Sequence, residues 1–309
     1  MAFPLAYTEH RPPGDLAGWV ACFWRIVGGV TGQPATGSAA GAGTGSAVGT
    51  ATGGVSGAGA GSAAGAATDA PSVVHRVLPD GCADLLFDLE AARGSGGAPA
   101  DLIGPMSVAQ VFELRGSIDL LGVRLRPGAI AAFGGIPADQ LLDTAVPLSD
   151  LPVSLGINID QLADIADSAA QLRLVINACR KRIAALNQPD PTIGHALARW
   201  AGAERPDFPV ISVLTRDLGL SERAFERRFL TSVGLTPIRY RRLARLRTVL
   251  RLHADGVRGW AAIATTTGFS DQAHLVRDCR AFTGLTPTEW AASQADRAGF
   301  LQDGHVTTL

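Results

Sequence analysis

Lysine is almost absent: Lys181 is the single example among 309 residues, so any basic surface must be built from arginine. No G-x-x-x-x-G-K-[ST] pattern occurs, which leaves no phosphate loop for a nucleotide. His10, His75, His195, His253, His274 and His305 are scattered without His-x-His spacing. Cys22, Cys82, Cys179 and Cys279 form no C-x-x-C pair. The sequence therefore signals no metal, no redox chemistry, no cofactor and no catalytic residue. Dispersed cysteines and the lack of a signal peptide lead us to expect a cytoplasmic protein. No apolar run is strong and long enough to suggest a membrane span.

Against these absences stands one internal repeat near the C-terminus. The segment from Ser221 through Gly234-Leu-Thr-Pro237 matches the segment from Asp271 through Gly284-Leu-Thr-Pro287 at a constant offset of 50 residues. Each copy predicts a short helix, a turn, a second helix and a glycine stop, the helix-turn-helix pattern. Val210 to Arg216 and Trp260 to Thr266 supply the first helices. Ser221 and Asp271 stand where each second helix needs an N-cap. Four-residue spacing turns Phe225, Phe229, Leu275 and Cys279 inward. Outward it leaves Glu222, Arg223, Glu226 and Arg227 in one copy, and Gln272, Ala273, Val276 and Arg277 in the other. These residue types can read bases: Arg bridges guanine, Gln pairs with adenine, Glu accepts from cytosine, and Ala or Val meets a thymine methyl. A single helix of this composition would equally suit a solvated face with (i, i+4) pairs, but duplication at one offset favours the reading role.

Between the copies, Pro237 to about His253 predicts a helix of roughly 25 Å, the right order to space two reading heads by one duplex turn. Its run of six arginines includes Arg241, Arg242 and Arg245, expected to anchor phosphates. Residues 204 to 290 hold 14 Arg against 9 acidic residues inside a chain whose net charge is −1. That asymmetry favours a polyanion through counterion release.

At these residues the chain resembles the AraC/XylS family of bacterial transcription regulators, across roughly residues 205 to 291. The most specific stretch is Gly268-Phe269-Ser270-Asp271-Gln272-Ala273-His274, with Arg277 and Gly284-Leu-Thr-Pro287. The resemblance implies a sequence-specific transcription factor, not an enzyme, with double-stranded DNA as partner. It also implies RNA polymerase, a small-molecule effector and a homodimer as further partners. By position, the groove-reading set falls on Arg223, Glu226, Arg227, Gln272, Ala273, Val276 and Arg277. Leu275 and Cys279 stand where the family usually has Phe. His274 is open between a DNA contact and a packing or capping role.

The N-terminal half is less specific. Residues 28 to 70 are nearly all Gly, Ala, Ser, Thr and Val without periodicity, and are expected to be a disordered insertion. Around it, Trp19–Ile26, Val73–Val77, Ala83–Leu89, Ser107–Leu114 and Ile118–Leu125 predict short strands of a barrel or sandwich. Leu78-Pro-Asp-Gly-Cys-Ala-Asp-Leu-Leu-Phe87 and Gly122-Val-Arg-Leu-Arg-Pro-Gly128 are similar to the cupin-like sensor domains of one branch of that family. If a pocket exists, Trp24, Arg76, Asp84 and Arg124 are its candidates, since an indole gives a flat wall and a guanidinium a planar fork. Ordinary structural roles remain open to each, as do a turn at Asp80-Gly81 and an alternating pair at Arg124 and Arg126. A cupin-like enzyme fused to a DNA-binding module is the alternative.

Helices are expected at 128–133, 137–142, 158–186 and 192–201. An apolar stripe from Leu162 to Ile183 could pack internally or pair two copies. The expected architecture is α+β. A cupin-like β-barrel domain (1–151) precedes a helical connector (152–203), an all-α double helix-turn-helix domain (204–291) and a flexible tail (292–309).

Overall fold

A computed structural model describes residues 3–30, 49–50, 72–94, 99–184, 186, 188–201, 208–295 and 306–307. Most of the glycine- and alanine-rich insertion and of the tail lies outside the described residues. The class is α+β, as expected.

The N-terminal half is built on an antiparallel sheet. Its strands are β1 (Phe3–His10), β2 (Val20–Val30), β3 (Gly49–Thr50), β4 (Ser72–Val77), β5 (Ala83–Asp88), β6 (Ala100–Ile103), β7 (Gln110–Leu125) and β8 (Ala145–Pro147). A two-residue strand, β9 (Val306–Thr307), runs parallel to β1. The main path is β8-β6-β5-β7-β2-β1-β9, with β3 and β4 paired to β7. The two strands expected at 107–114 and 118–125 are one. Gly116, at φ +69°, turns the chain without ending the strand. The half before that glycine pairs with β4, and the half after it pairs with β2 and β5. One strand thus serves both layers of the sheet. β1, β6 and β8 were not anticipated, because they are short or interrupted by polar residues.

Helix α1 (Leu89–Arg93) follows β5, capped by the Asp88 carboxylate on the Ala91 N–H. Helix α2 (Ile130–Gly134) and a 3-10 turn (Ala138–Gln140) occupy the first two expected helical positions. The single helix expected at 158–186 is broken into α3 (Ile159–Asp164) and α4 (Ser168–Ala184). Ile165 is extended, and the buried Gln171 side chain donates to the Leu162 carbonyl freed by the break. The stripe of Leu162, Leu172, Val175, Ile176 and Cys179 packs against Leu16, Phe23 and Phe133 in the sheet domain's core. The internal role therefore absorbs it.

Helix α5 (Pro191–Ala201) joins a different core. Its Trp200 is buried among Phe225, Phe229 and Tyr240, with ring centroids 5.6–6.5 Å apart. The region expected as one connector is therefore divided, α3 and α4 with the sheet and α5 with the helices that follow.

Those helices are α6 (Ile211–Asp217), α7 (Glu222–Val233), α8 (Pro237–Ala254), α9 (Trp260–Thr266), α10 (Gln272–Thr283) and α11 (Pro287–Ala295). The repeated Gly-Leu-Thr-Pro explains the joints. Gly234 and Gly284 close α7 and α10 in the left-handed conformation, φ +83° and +77°. Thr236 then accepts the Arg239 N–H as N-cap of α8, and Pro237 takes the first helical position, where no N–H is needed. Thr286 and Glu289 form a reciprocal capping box at α11.

Candidate nucleic-acid interface

Helices α7 and α10 are the second helices of the two units, related by the 50-residue offset. Ser221 caps α7 by accepting the Ala224 N–H at 3.3 Å, and Asp271 caps α10 by accepting the His274 N–H at 2.6 Å. Phe225, Phe229, Leu275 and Cys279 are all fully buried. The opposite faces carry Arg223, Glu226 and Arg227 on α7, and Gln272, Ala273 and Arg277 on α10, all exposed. Val276 is half-buried. Each unit thus turns its apolar stripe inward and its base-compatible residues to solvent.

The arginines of α8 are placed differently from the expected row of phosphate anchors. Arg245 is buried, donates to the Gly268 carbonyl at 2.9 Å, and lies 4.1 Å above the Phe269 ring. Arg242 pairs with Asp278 at 2.7 Å, and Arg245 reaches the same carboxylate at 3.6 Å. Arg241 donates to the Phe208 carbonyl at 2.9 Å. Arg242 and Arg245 thus tie the second unit to α8, and Arg241 ties α8 to the segment ahead of α6; of the three, Arg245 is the one withdrawn from solvent. The i, i+4 pattern could not reveal this, because Arg245 points at a partner 33 residues later in the chain.

Asp278, overlooked in the sequence, is the hub of that arrangement, with only 1% of its surface exposed. His274 completes it: Nε2 lies 3.3 Å from Arg245, Nδ1 lies 3.2 Å from the Ser270 hydroxyl, and the ring packs edge-on to Phe269. Its surroundings are those of a packing residue.

A cavity of about 850 Å³ lies between the sheet domain and the helical domain. Trp24, Arg76, Asp84 and Arg124 all line it. Three of them form one cluster: Trp24 Nε1 donates to Asp84 Oδ1 at 2.8 Å, and Arg124 Nε donates to the same oxygen at 3.3 Å. Arg76 stands apart and donates to the Thr283 carbonyl at the end of α10, 3.0 Å away. Burial raises the Asp84 carboxyl above its ordinary range, with Arg124 opposing the shift. Burial acts to raise the Asp80 carboxyl, but Arg124, Arg247 and the hydrogen bonding from Cys82 together hold it below that range. The far wall comes from Leu243, Leu246, Arg247 and Leu250 of α8, with Phe282 and Trp290.

Several joints link the domains around this cavity, among them the Arg239 guanidinium of α8 donating to the Ser107 carbonyl at 2.7 Å. Arg247 donates to the Asp80 carbonyl at 3.2 Å. The Ala109 N–H donates to the Phe282 carbonyl at 2.7 Å, next to the contact of Arg76 with Thr283. At the end of α7, Gly234 lies so near the Ala138 carbonyl that a β-carbon would stand 2.8 Å from its oxygen. Gly122 has a similar role inside the sheet, because the Trp24 indole lies where its β-carbon would be, 2.0 Å away. Gly234 is legible in the repeat as a helix stop, but its close approach to the sheet domain, like that of Gly122 to Trp24, carries no periodic signal.

Among the described residues no three His, Cys, Asp or Glu side chains are grouped to hold a metal ion. No helix among them is long and apolar enough to cross a membrane.

A family described as a helix-turn-helix domain matches residues 214–293, and a domain of unknown function, DUF6597, matches residues 64–147. No curated protein matches the chain. Among solved structures it is similar to the C-terminal domain of AraT, a response regulator from Geobacillus stearothermophilus. That match has 16% identity and a TM-score of 0.30, and covers 37% of this chain and 90% of that one. It is also similar to ToxT from Vibrio cholerae O395 at 15% identity and TM-score 0.36, covering 71% and 95% of the two chains. Unsaturated fatty acid bound ToxT from Vibrio cholerae matches at 13% identity and TM-score 0.33, covering 72% and 95%. The matched segment spans both helix-turn-helix units described above: the C-terminal part of the chain is a helix-turn-helix domain of AraC type, and the protein is a DNA-binding transcription regulator.

Proposed function

We propose that the regulator reads DNA with α7 and α10 in adjacent major-groove segments, while the interdomain cavity holds a small effector. Arg223, Arg227 and Arg277 would bridge guanine edges. Glu226 and Gln272 would refine the choice of base, and Ala273 and Val276 would meet thymine methyls. The observation that carries this reading is the pair of matched helices with arginine-bearing faces open to solvent on one α8 scaffold. Phosphate contacts remain open to the partly exposed Arg241 and Arg242, whereas the buried Arg245 has a structural role.

The effector site would be the cluster of Trp24, Asp84 and Arg124, with Arg76 at the joint to α10. Because α8 and Phe282 form part of the cavity wall, an occupant would touch the scaffold that sets the spacing of the two reading helices. Occupancy could then shift DNA affinity only by as much as the ligand prefers one arrangement of that scaffold. RNA polymerase, a second copy of the chain and a cytoplasmic site of action belong to the same reading.

Selection of bound sequences from random duplexes, with the full chain, tests it. Alanine at Arg223, Arg227 or Arg277 should cost about 1–3 kcal/mol and relax the preference at one base position. Equal affinity for selected and random duplexes at physiological salt would instead mean an architectural binder.

A further inference from the structure

The floor of the interdomain cavity is one face of the sheet, and its charges do not balance. Strand register sets Asp84 beside Arg124, Asp101 beside Leu86, Asp88 beside Leu120, and Glu9 beside Trp24, all lining the cavity. Four carboxylates thus share this face with a single guanidinium, Arg124. That guanidinium is already engaged by Asp84 at 3.3 Å and Asp80 at 3.8 Å. Arg76 and Arg247 are engaged by backbone carbonyls. At the exposed mouth Arg251 has Asp255 as a lining neighbour of opposite charge. An entering carboxylate would find no arginine at the floor without an acidic partner, and would face Asp84 and Asp101; Asp88 is already held as the cap of α1, and Glu9 accepts from the Tyr7 hydroxyl.

The same face offers a cation what it needs. Both donors to Asp84 reach Oδ1, so Oδ2 receives neither bond. Asp101, on the strand next to Asp84, has no ion-pair partner among the described residues. Burial raises both carboxyls above their ordinary range, so each would be relieved by a positive charge brought into the cavity. The rings of Trp24 and Tyr7, with centroids 6.5 Å apart, add π-faces on the same floor. Between the charged groups the lining is rich in apolar side chains, Leu114 and Leu120 from β7 and Leu243, Leu246 and Leu250 from α8.

We propose that the cavity takes an organic cation with an apolar body, its ammonium or amidinium head between Asp84 and Asp101 beside Trp24, and that it rejects carboxylates of the same shape. This rests on the reading of the cavity as an effector site and names the chemistry of the effector.

Calorimetric titration of the full chain with phenylbutylamine, phenylbutanol and phenylbutyrate separates the charges on one apolar body. The amine should bind at least about tenfold more tightly than the carboxylate. Asp101→Asn should reduce that margin, and so should Asp84→Asn. Asp101 has no ion-pair partner to lose, so its variant keeps the test valid if Asp84→Asn fails to fold. Carboxylate binding equal to or tighter than amine binding would overturn the cationic assignment and leave the effector site standing. Amine binding unchanged in both variants would also overturn it, by placing the head elsewhere. If none of the three probes binds, and Gly122→Val leaves operator affinity as it was, the effector site and its cationic ligand fall together, while DNA reading by α7 and α10 is untouched.

Discussion

Gly81 lies against Tyr240 so closely that a β-carbon on the glycine would stand 2.5 Å from ring atom Cε2. The glycine belongs to the turn between β4 and β5, and the tyrosine is buried in α8 between the two reading units. Its φ of +78° is also in the region that L side chains rarely adopt. Gly81→Ala should therefore destabilise the protein by about 2 kcal/mol, from left-handed strain and displacement of the ring. Chemical denaturation would measure it. Because Asp80 beside it accepts from Arg247, operator affinity should change as well. Unchanged stability and DNA binding would mean that this turn is not a working joint between the domains.

Asp278 is enclosed with Arg242, Arg245 and His274. Removing it leaves the buried Arg245 without its counter-charge, which typically costs about 3–5 kcal/mol. Asp278→Ala should loosen the second unit and abolish protection of its half of the operator in footprinting before the first half is lost. Replacing Asp278 by Leu together with Arg245 by Met should be less damaging than Asp278→Ala alone, because no unpaired charge remains buried; Arg242, which also loses Asp278, has a side chain 41% exposed to water. Equal damage would assign the cost to packing.

The second helices of the repeat were legible in the sequence because both sides of the signal are local. Phe225 and Phe229 fall one helical turn apart, and the caps and stops at Ser221, Asp271, Gly234 and Gly284 are single residues with one strong conformational use. The roles of the α8 arginines were not legible. Arg245 and Arg242 have the same local sequence context as any basic helix face, and only the partner at Asp278 separates a buried tie from a solvent-facing charge. The cavity shows a similar division. Trp24, Asp84 and Arg124 could be chosen by residue type, but the sheet register that adds Asp101 and Glu9 follows from pairing with β6 and β1, strands too short or too polar to announce themselves.

The two equivalent N-caps differ in chemistry, so they should differ with pH. Asp271 is held below the usual carboxylate range by the His274 N–H and then by the Ser270 hydroxyl. A depressed folded pKa gives stability that is present above the unfolded value and lost as pH falls through the folded one. Ser221 has no such titration. Asp271→Ala should lower the melting temperature at neutral pH, with the difference shrinking in acid. Ser221→Ala should cost about 1 kcal/mol at any pH where the chain folds. Parallel melting series for both variants would show it, and a pH-independent loss at Asp271 would mean that its charge contributes nothing to the cap.

Asp101 predicts the opposite sign. Burial raises its carboxyl, and the neighbouring Asp88 raises it further. The folded state then holds the proton more tightly than the unfolded chain does. Stability falls as pH rises from the unfolded value through the folded one, and the penalty is complete above it. Asp101→Asn removes that penalty, so the variant should melt higher than the parent at neutral pH and no higher in acid below the ordinary carboxylate range. The comparison is made without ligand, because a cation seated beside Asp101 would work against this order by stabilising the parent more than the variant. A residue that costs stability in the empty protein and returns it on binding is what a ligand-sensing carboxylate requires. If Asp101→Asn melted lower at neutral pH, the carboxylate would have to be serving the fold.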